Sequence, residues 1–129
     1  MSIELARRYL AAISAGTTGD ALAAFFHPAV VFHELPNRLV PNGAQSDLAA
    51  ILAGAERGQK IVADQRYLVK HAVEAGDTVA LEVDWSATLK IPIGNTPAGG
   101  TMSASIGMFI TYAGGKIISQ RNYDCYPPF

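Results

Sequence analysis

Cysteine is almost missing from this chain: its 129 residues hold one, Cys125. A lone thiol closes no internal disulfide and removes any cysteine-rich metal site from consideration. Charge of a single sign is missing too. Ten Lys and Arg stand against eleven Asp and Glu, a formal net charge of -1, and no basic run exceeds Arg7-Arg8. Nucleic acid would find no electrostatic footprint here. No apolar run approaches the roughly 18 residues that span a bilayer, so no membrane partner is expected. The opening Met1-Ser2-Ile3-Glu4 leads into Arg7-Arg8 without the apolar stretch of an export signal, which makes cytoplasmic the expected location. His27, His33 and His71 are scattered, with no His-x-x-x-His spacing, so neither metal nor other cofactor is expected.

What is present describes one soluble globular domain over residues 1-129, with 50% hydrophobic and 16% charged residues. A chain of this length buries roughly 65-70% of its unfolded surface, enough for a core without disulfides or structural metal. The first 60 residues read as helices and the rest as long strands, a segregated order that predicts an α+β fold. Leu5, Tyr9 and Ile13 recur at helical spacing between an N-capping Ser2 and a terminating Gly16, giving a helix over about 2-15. Thr17-Thr18-Gly19-Asp20 resembles a capping box before a second helix, whose buried stripe is Leu22, Phe25 and Phe26 and which Pro28 ends. Val30-Val31-Phe32-His33-Glu34 reads as a strand, followed by a loop containing Pro36, Pro41 and Gly43. A third helix, N-capped by Ser46, carries Leu48, Ile51, Leu52 and Ala55 on one face as far as Gly58.

From Ile61 the period changes to two, with strands over about 62-75, 78-91, 101-113 and 116-125. The first pair and the last pair meet at tight Gly turns; the 92-100 connection, with two prolines and three glycines, is a longer exposed loop. It matches no phosphate-binding fingerprint. In strand 78-91 the odd positions Val79, Leu81, Val83, Trp85, Ala87, Leu89 and Ile91 are apolar, whereas Glu82, Asp84, Ser86 and Lys90 are even. Pairing odd with odd across the first hairpin places Lys70 near Glu82 and Arg66 diagonal to Asp84 on one charged face. Alternation leaves two readings open. Either this face is solvated, or it lines a pocket walled by the helices while a second subunit covers the apolar odd face.

The element order resembles the cone-shaped α+β fold of the SnoaL-like and nuclear transport factor 2-like superfamily, which includes ketosteroid isomerase, scytalone dehydratase and polyketide cyclases. The resemblance spans nearly the whole chain. It is sharpest at Ser103-Ala104-Ser105-Ile106-Gly107-Met108-Phe109 and at Gly115-Lys116-Ile117-Ile118-Ser119-Gln120-Arg121-Asn122-Tyr123-Asp124, which look like the last hairpin of SnoaL-like proteins and of limonene epoxide hydrolase. It implies a cone-shaped, strongly curved, mainly antiparallel sheet packed on three N-terminal helices. Where the epoxide hydrolases carry Arg-x-Asp, this chain has Glu82-Val83-Asp84; their last-strand Asp becomes Asn122, and their Tyr-x-Asn becomes Phe32-His33-Glu34. Asp84 is the acid retained. Arg66, on the neighbouring strand, is positioned to restore a cation beside it.

The same correspondence implies that Phe32, Glu34, Glu82, Asp84, Asn122 and Asp124 point into the cone with Met102, Ala104, Ile106 and Met108. That mixture suits a small hydrophobic ligand with polar ends. Clustered carboxyls would push at least one pKa up and leave a protonated acid beside an ionised one, a pair able to perform acid-base chemistry. The expected catalytic set is therefore Asp84, with Asn122 and Glu34 orienting substrate or water. Two functions remain open at this point: an acid-base isomerase, cyclase, dehydratase or hydrolase acting on a small hydrophobic or polyketide-like substrate, or a non-catalytic ligand-binding or assembly domain, which the replaced Arg and Asp favour. A homodimer through the Val79, Leu81, Val83 and Trp85 face is the expected assembly.

Overall fold

The computed structural model describes residues 2-129 and has the element order α1 (Ser2–Ser14), α2 (Gly19–Ala23), β1 (Phe26–Glu34), β2 (Ala44–Ser46), α3 (Leu48–Ile61), β3 (Val62–Ala75), β4 (Thr78–Leu89), β5 (Thr101–Ala113) and β6 (Lys116–Cys125). The strands form one sheet in the order β2-β1-β6-β5-β4-β3. Every neighbouring pair is antiparallel except β1 with β6. This is the α+β architecture expected from the order of periodicities. No helix among the described residues is long and apolar enough to cross a membrane.

Local differences from the sequence reading have local causes. Helix α1 ends as expected: Gly16 adopts φ +80°, and the Thr17 and Gly16 N-H groups donate to the Ala12 and Ile13 carbonyls. Its start is capped from afar, because the Ile3 N-H donates to Glu74 Oε1 at 2.9 Å. Helix α2 stops after five residues, and its N-cap Thr18 makes no side-chain cap bond. Phe26 consequently opens β1 instead of closing a helix. Pro28 falls in the irregular stretch of β1 between Phe26 and Val31, where its missing N-H costs no ladder bond. Ser46 lies in the short strand β2, and Asp47 caps α3 in its place, accepting from Ala50 N at 2.9 Å.

The helices cover one face of the sheet, called the inner face below. Val79, Leu81 and Val83 of β4, Ala104, Ile106, Met108 and Ile110 of β5, and Ile117 of β6 form one core with Ala6, Tyr9 and Leu10 of α1 and Leu22 of α2. The strip Val79-Leu81-Val83 is thus filled by the chain's own helices, and Trp85 is partly buried against the same core. A dimer cannot use that face, which corrects the assembly surface expected from alternation. The apolar stripe was satisfied within the subunit because the amphipathic α1 needed a partner of the same kind.

Bulges set the register. Odd pairs with odd between β3 and β4 only over the stretch that contains Tyr67↔Trp85 and Val69↔Val83. Shifts between Ala63 and Arg66 and between Val69 and His71 put β3 out of step on either side. Ala72 therefore faces Leu81 and packs on the core, whereas Val73 is 52% exposed. Asp64, in the first of these bulges, takes a positive φ of 54°. These extra residues bend β3 and help wrap the sheet around the helices.

Candidate functional site

A cavity of about 410 Å³ lies between the inner face and the helices. Tyr9 and Ile13 of α1, Leu22 of α2, and Ile51, Ala55 and Arg57 of α3 form one wall. The sheet contributes Phe32 and Glu34 from β1, Tyr67 from β3, Met108 from β5, and Gln120 and Asn122 from β6. Its size and its apolar lining with a few converging polar groups fit a small-molecule pocket. The register explains the convergence. Phe32 and Glu34 of β1 pair with Gln120 and Asn122 of the parallel β6, and Asn122 pairs with Met108 of β5, so all five share the inner face.

Asp124 sits two residues beyond Asn122 on that face, opposite Ile106. Its Oδ1 is buried without a hydrogen-bond partner. Burial pushes the Asp124 pKa from 3.8 up to about 6, the negative charge of Glu34 adds to the rise, and a hydrogen bond from Tyr126 opposes it. Glu34 is held in place by Asn37, whose Nδ2 donates to Glu34 Oε2 at 2.8 Å. Burial also raises the Tyr67 phenol, with the Asp124 charge as the second cause. The Tyr126 phenol is raised by burial, then by Asp124 and Glu34. The site therefore joins two carboxyls, one of them titrating near neutrality, with phenols that stay protonated at any ordinary pH.

Of the residues expected to line the pocket, Phe32, Glu34, Met108 and Asn122 do so. Ala104 and Ile106 lie on the inner face as core residues, Met102 is also buried, and Asp124 borders the site through Glu34. Glu82, Asp84 and Arg66 are not with them. Asp84 pairs with Ser105 and Leu68, Glu82 with Gly107, and Arg66 with Ser86, all positions of the opposite, outer face. Period two forbids the expected mixture: Leu81 and Val83, not Glu82 and Asp84, are the partners of Met108 and Ile106. Arg66 does stand diagonal to Asp84, but the cation that reaches this carboxylate is Lys70, at 3.8 Å, from the bulge. With side chains 49% and 47% exposed, that ion pair is worth about 0-1 kcal/mol. We expect Asp84→Asn to change stability by less than about 1 kcal/mol and to leave ligand binding in the cavity as in wild type. Denaturant melts and a binding titration on the same preparation check this.

Sequence reasoning missed Tyr9, Tyr67, Gln120, Arg57 and Tyr126. Gln120 was within reach, since it alternates with Asn122 and Asp124 and must share their face. Tyr9 and Tyr67 carried only a core signal, because a phenol on an apolar stripe looks like any buried aromatic. Among the described residues no group of His, Cys, Asp and Glu is arranged to hold a metal ion.

The chain shares its fold with several solved structures. It superimposes on IdmH from Streptomyces antibioticus, described as a proposed polyketide cyclase, with a TM-score of 0.79 at 20% identity, covering 96% of this chain and 91% of that one. AclR from Streptomyces galilaeus, described as a proposed hydroxylase, gives 0.76 at 20% identity, with 95% and 87% covered. A proposed polyketide cyclase from Xanthomonas campestris pv. campestris gives 0.74 at 20% identity, with 98% and 90% covered. At such identities the likeness shows the fold alone. No curated protein sequence matches the chain. The SnoaL-like domain matches residues 6–120, which takes in every element from α1 to the middle of β6 and all the inner-face strands of the cavity, and the chain therefore belongs to the SnoaL-like domain family.

Proposed function

We propose that the cavity binds a small, mainly apolar molecule and that the protein acts on it by acid-base chemistry through Asp124 and Glu34, with Asn122 orienting substrate or water. Asp84, first in line from the sequence, has no part in this reading because it lies on the outer face. The observation that carries it is the Asp124 carboxyl, raised to about 6 beside a second carboxyl at the border of the cavity. A group titrating there holds a useful fraction of acid and of base at neutral pH, which is the condition for efficient proton transfer. Isomerisation, cyclisation, dehydration and addition of water can all use such a pair; the relatives described as polyketide cyclases support cyclisation of a polyketide-like substrate as the first reaction to try. The test is turnover of a panel of such substrates across pH. An Asp124-dependent limb near pH 6 is expected. Ligand binding without any turnover would favour the non-catalytic reading.

The functional unit in this proposal is a homodimer through the outer face. Phe109 and Tyr123 are exposed there with their rings 5.8 Å apart, and the Arg121 guanidinium lies 5.3 Å over Phe109. Leu68, 64% exposed, sits on the same face. Large apolar side chains gathered on one surface call for a partner, and a second copy offers the same surface. Sedimentation should give twice the mass of one chain, and Phe109→Glu should return it to the monomer with unchanged far-ultraviolet circular dichroism. A wild-type monomer at micromolar concentration overturns the assembly without touching the chemistry.

A further inference from the structure

We propose that Gln120 is a specificity-determining residue that reads a hydroxyl group at the buried end of the bound molecule. This rests on the reading that the cavity takes a small apolar ligand. Gln120 is 1% exposed and lines the cavity from the middle of the sheet. Its Nε2 donates to Asn122 Oδ1 at 3.0 Å. Burial raises the Tyr9 phenol, which stays protonated, and the neighbouring Gln120 amide opposes that rise. The bond to Asn122 uses the amide as a donor and sets which end of it faces which way. The other end, Oε1, is buried and accepts nothing.

A buried amide oxygen with no donor is costly, and native interiors keep few of them. No donor of the chain is hydrogen-bonded to it, and the cavity that Gln120 lines is mainly apolar, with Leu22, Phe26 and Met108 among its walls. The missing partner must then come from what the cavity holds, as an O-H that Oε1 accepts. A ligand whose polar atoms are only acceptors leaves Oε1 orphaned and is rejected for that reason, since discrimination by an unpaired buried group exceeds discrimination by shape. A neutral hydroxyl fits better than an ammonium, whose desolvation among apolar walls would be expensive. Gln120 is therefore the element that separates hydroxylated molecules from their deoxy or methylated analogues.

The probes are 2-naphthol and 2-methoxynaphthalene, nearly equal in shape, of which only the first donates a hydrogen bond. Titration calorimetry at neutral pH, on the full chain, should show wild type binding 2-naphthol about ten- to a hundredfold more tightly. Gln120→Met should reduce that preference to less than about threefold, mainly by improving the methoxy compound. Gln120→Glu keeps an acceptor oxygen and should keep the preference for the hydroxyl, a rescue that a purely structural role would not produce. Should Gln120→Met fail to fold, the wild-type ratio and the Glu variant still decide. Equal binding of both probes by wild type, or a preference that survives in Gln120→Met, overturns the inference and leaves the cavity reading standing. Failure of both probes to bind overturns both, and binding of 2-methoxynaphthalene in preference to 2-naphthol overturns the inference alone.

Discussion

Replacing Asp124 by Asn is expected to raise stability near pH 7 by about 1-2 kcal/mol and to leave it unchanged near pH 4, while lowering turnover about 10²-10⁴-fold. The folded pKa of Asp124 is raised to about 6 from the ordinary 3.8. Between those values the native state holds a proton that the unfolded chain has released, so stability falls as pH rises through the window. Above about pH 6 the native protein carries a buried charge, and the full penalty is present. Two pKa units would correspond to about 3 kcal/mol; because Asp124 is only partly buried, solvent screening reduces the expected figure to 1-2. Asn has the same shape and never ionises, which removes the penalty and the proton transfer together. A destabilised active-site acid is what a stability-for-activity exchange looks like. Chemical denaturation of wild type and variant at several pH values checks the first part, and pH-rate profiles the second. A variant that is less stable than wild type near pH 7, or one that turns over within about tenfold of it, contradicts the assignment.

The sheet and helices were legible because β4 and β5 alternate with a period of two, glycine turns join β3 to β4 and β5 to β6, and α1 and α3 carry clear stripes. The site was legible in part. Glu34 and Asn122 could be placed by resemblance, and the inward alternation of Met108 could be read from β5. The face of β4 was misassigned for a physical reason. A stripe such as Val79-Leu81-Val83 is equally apolar whether it meets a helix of its own chain or another subunit, and period alone carries no sign. The even positions Glu82 and Asp84 then inherited a pocket that belongs to the odd ones. The bulge beside Lys70 was invisible as well, since it is a tertiary response to curvature and has no turn residue to announce it. Asp124 was named among the pocket residues, but its rank could not be seen. Its perturbation depends on burial and on the lateral approach of Glu34, which pairs with Asn122 across the parallel β1 and β6, a neighbourhood that only the parallel pairing creates.

Gly43→Ala is expected to destabilise the protein by about 2-4 kcal/mol and at the same time to lower the apparent pKa of Asp124 toward its ordinary value. Gly43 closes the 35-43 loop with φ +67°, where an L side chain is strained. A Cβ there would lie 2.6 Å from the Glu34 carbonyl oxygen and 3.1 Å from Pro36 N, contacts with backbone that no rotamer can relieve. The loop has to move. It carries Asn37, which accepts from the Leu39 and Val40 N-H groups and donates to the Glu34 carboxylate at 2.8 Å. Displacing it frees Glu34 from that anchor and weakens its charge on Asp124, so the Asp124 titration moves down. Gly76→Ala is the control for backbone strain alone. Gly76 has nearly the same φ, +58°, and nothing within 4 Å of its Cβ position, so it should lose only the conformational part, about 1 kcal/mol, with the Asp124 titration unmoved. Thermal or denaturant melts of the two variants, with carbon-13 carboxyl NMR of Asp124, separate the clash from the strain. If Gly43→Ala melts like Gly76→Ala and Asp124 titrates as in wild type, the loop does not hold Glu34 at the site.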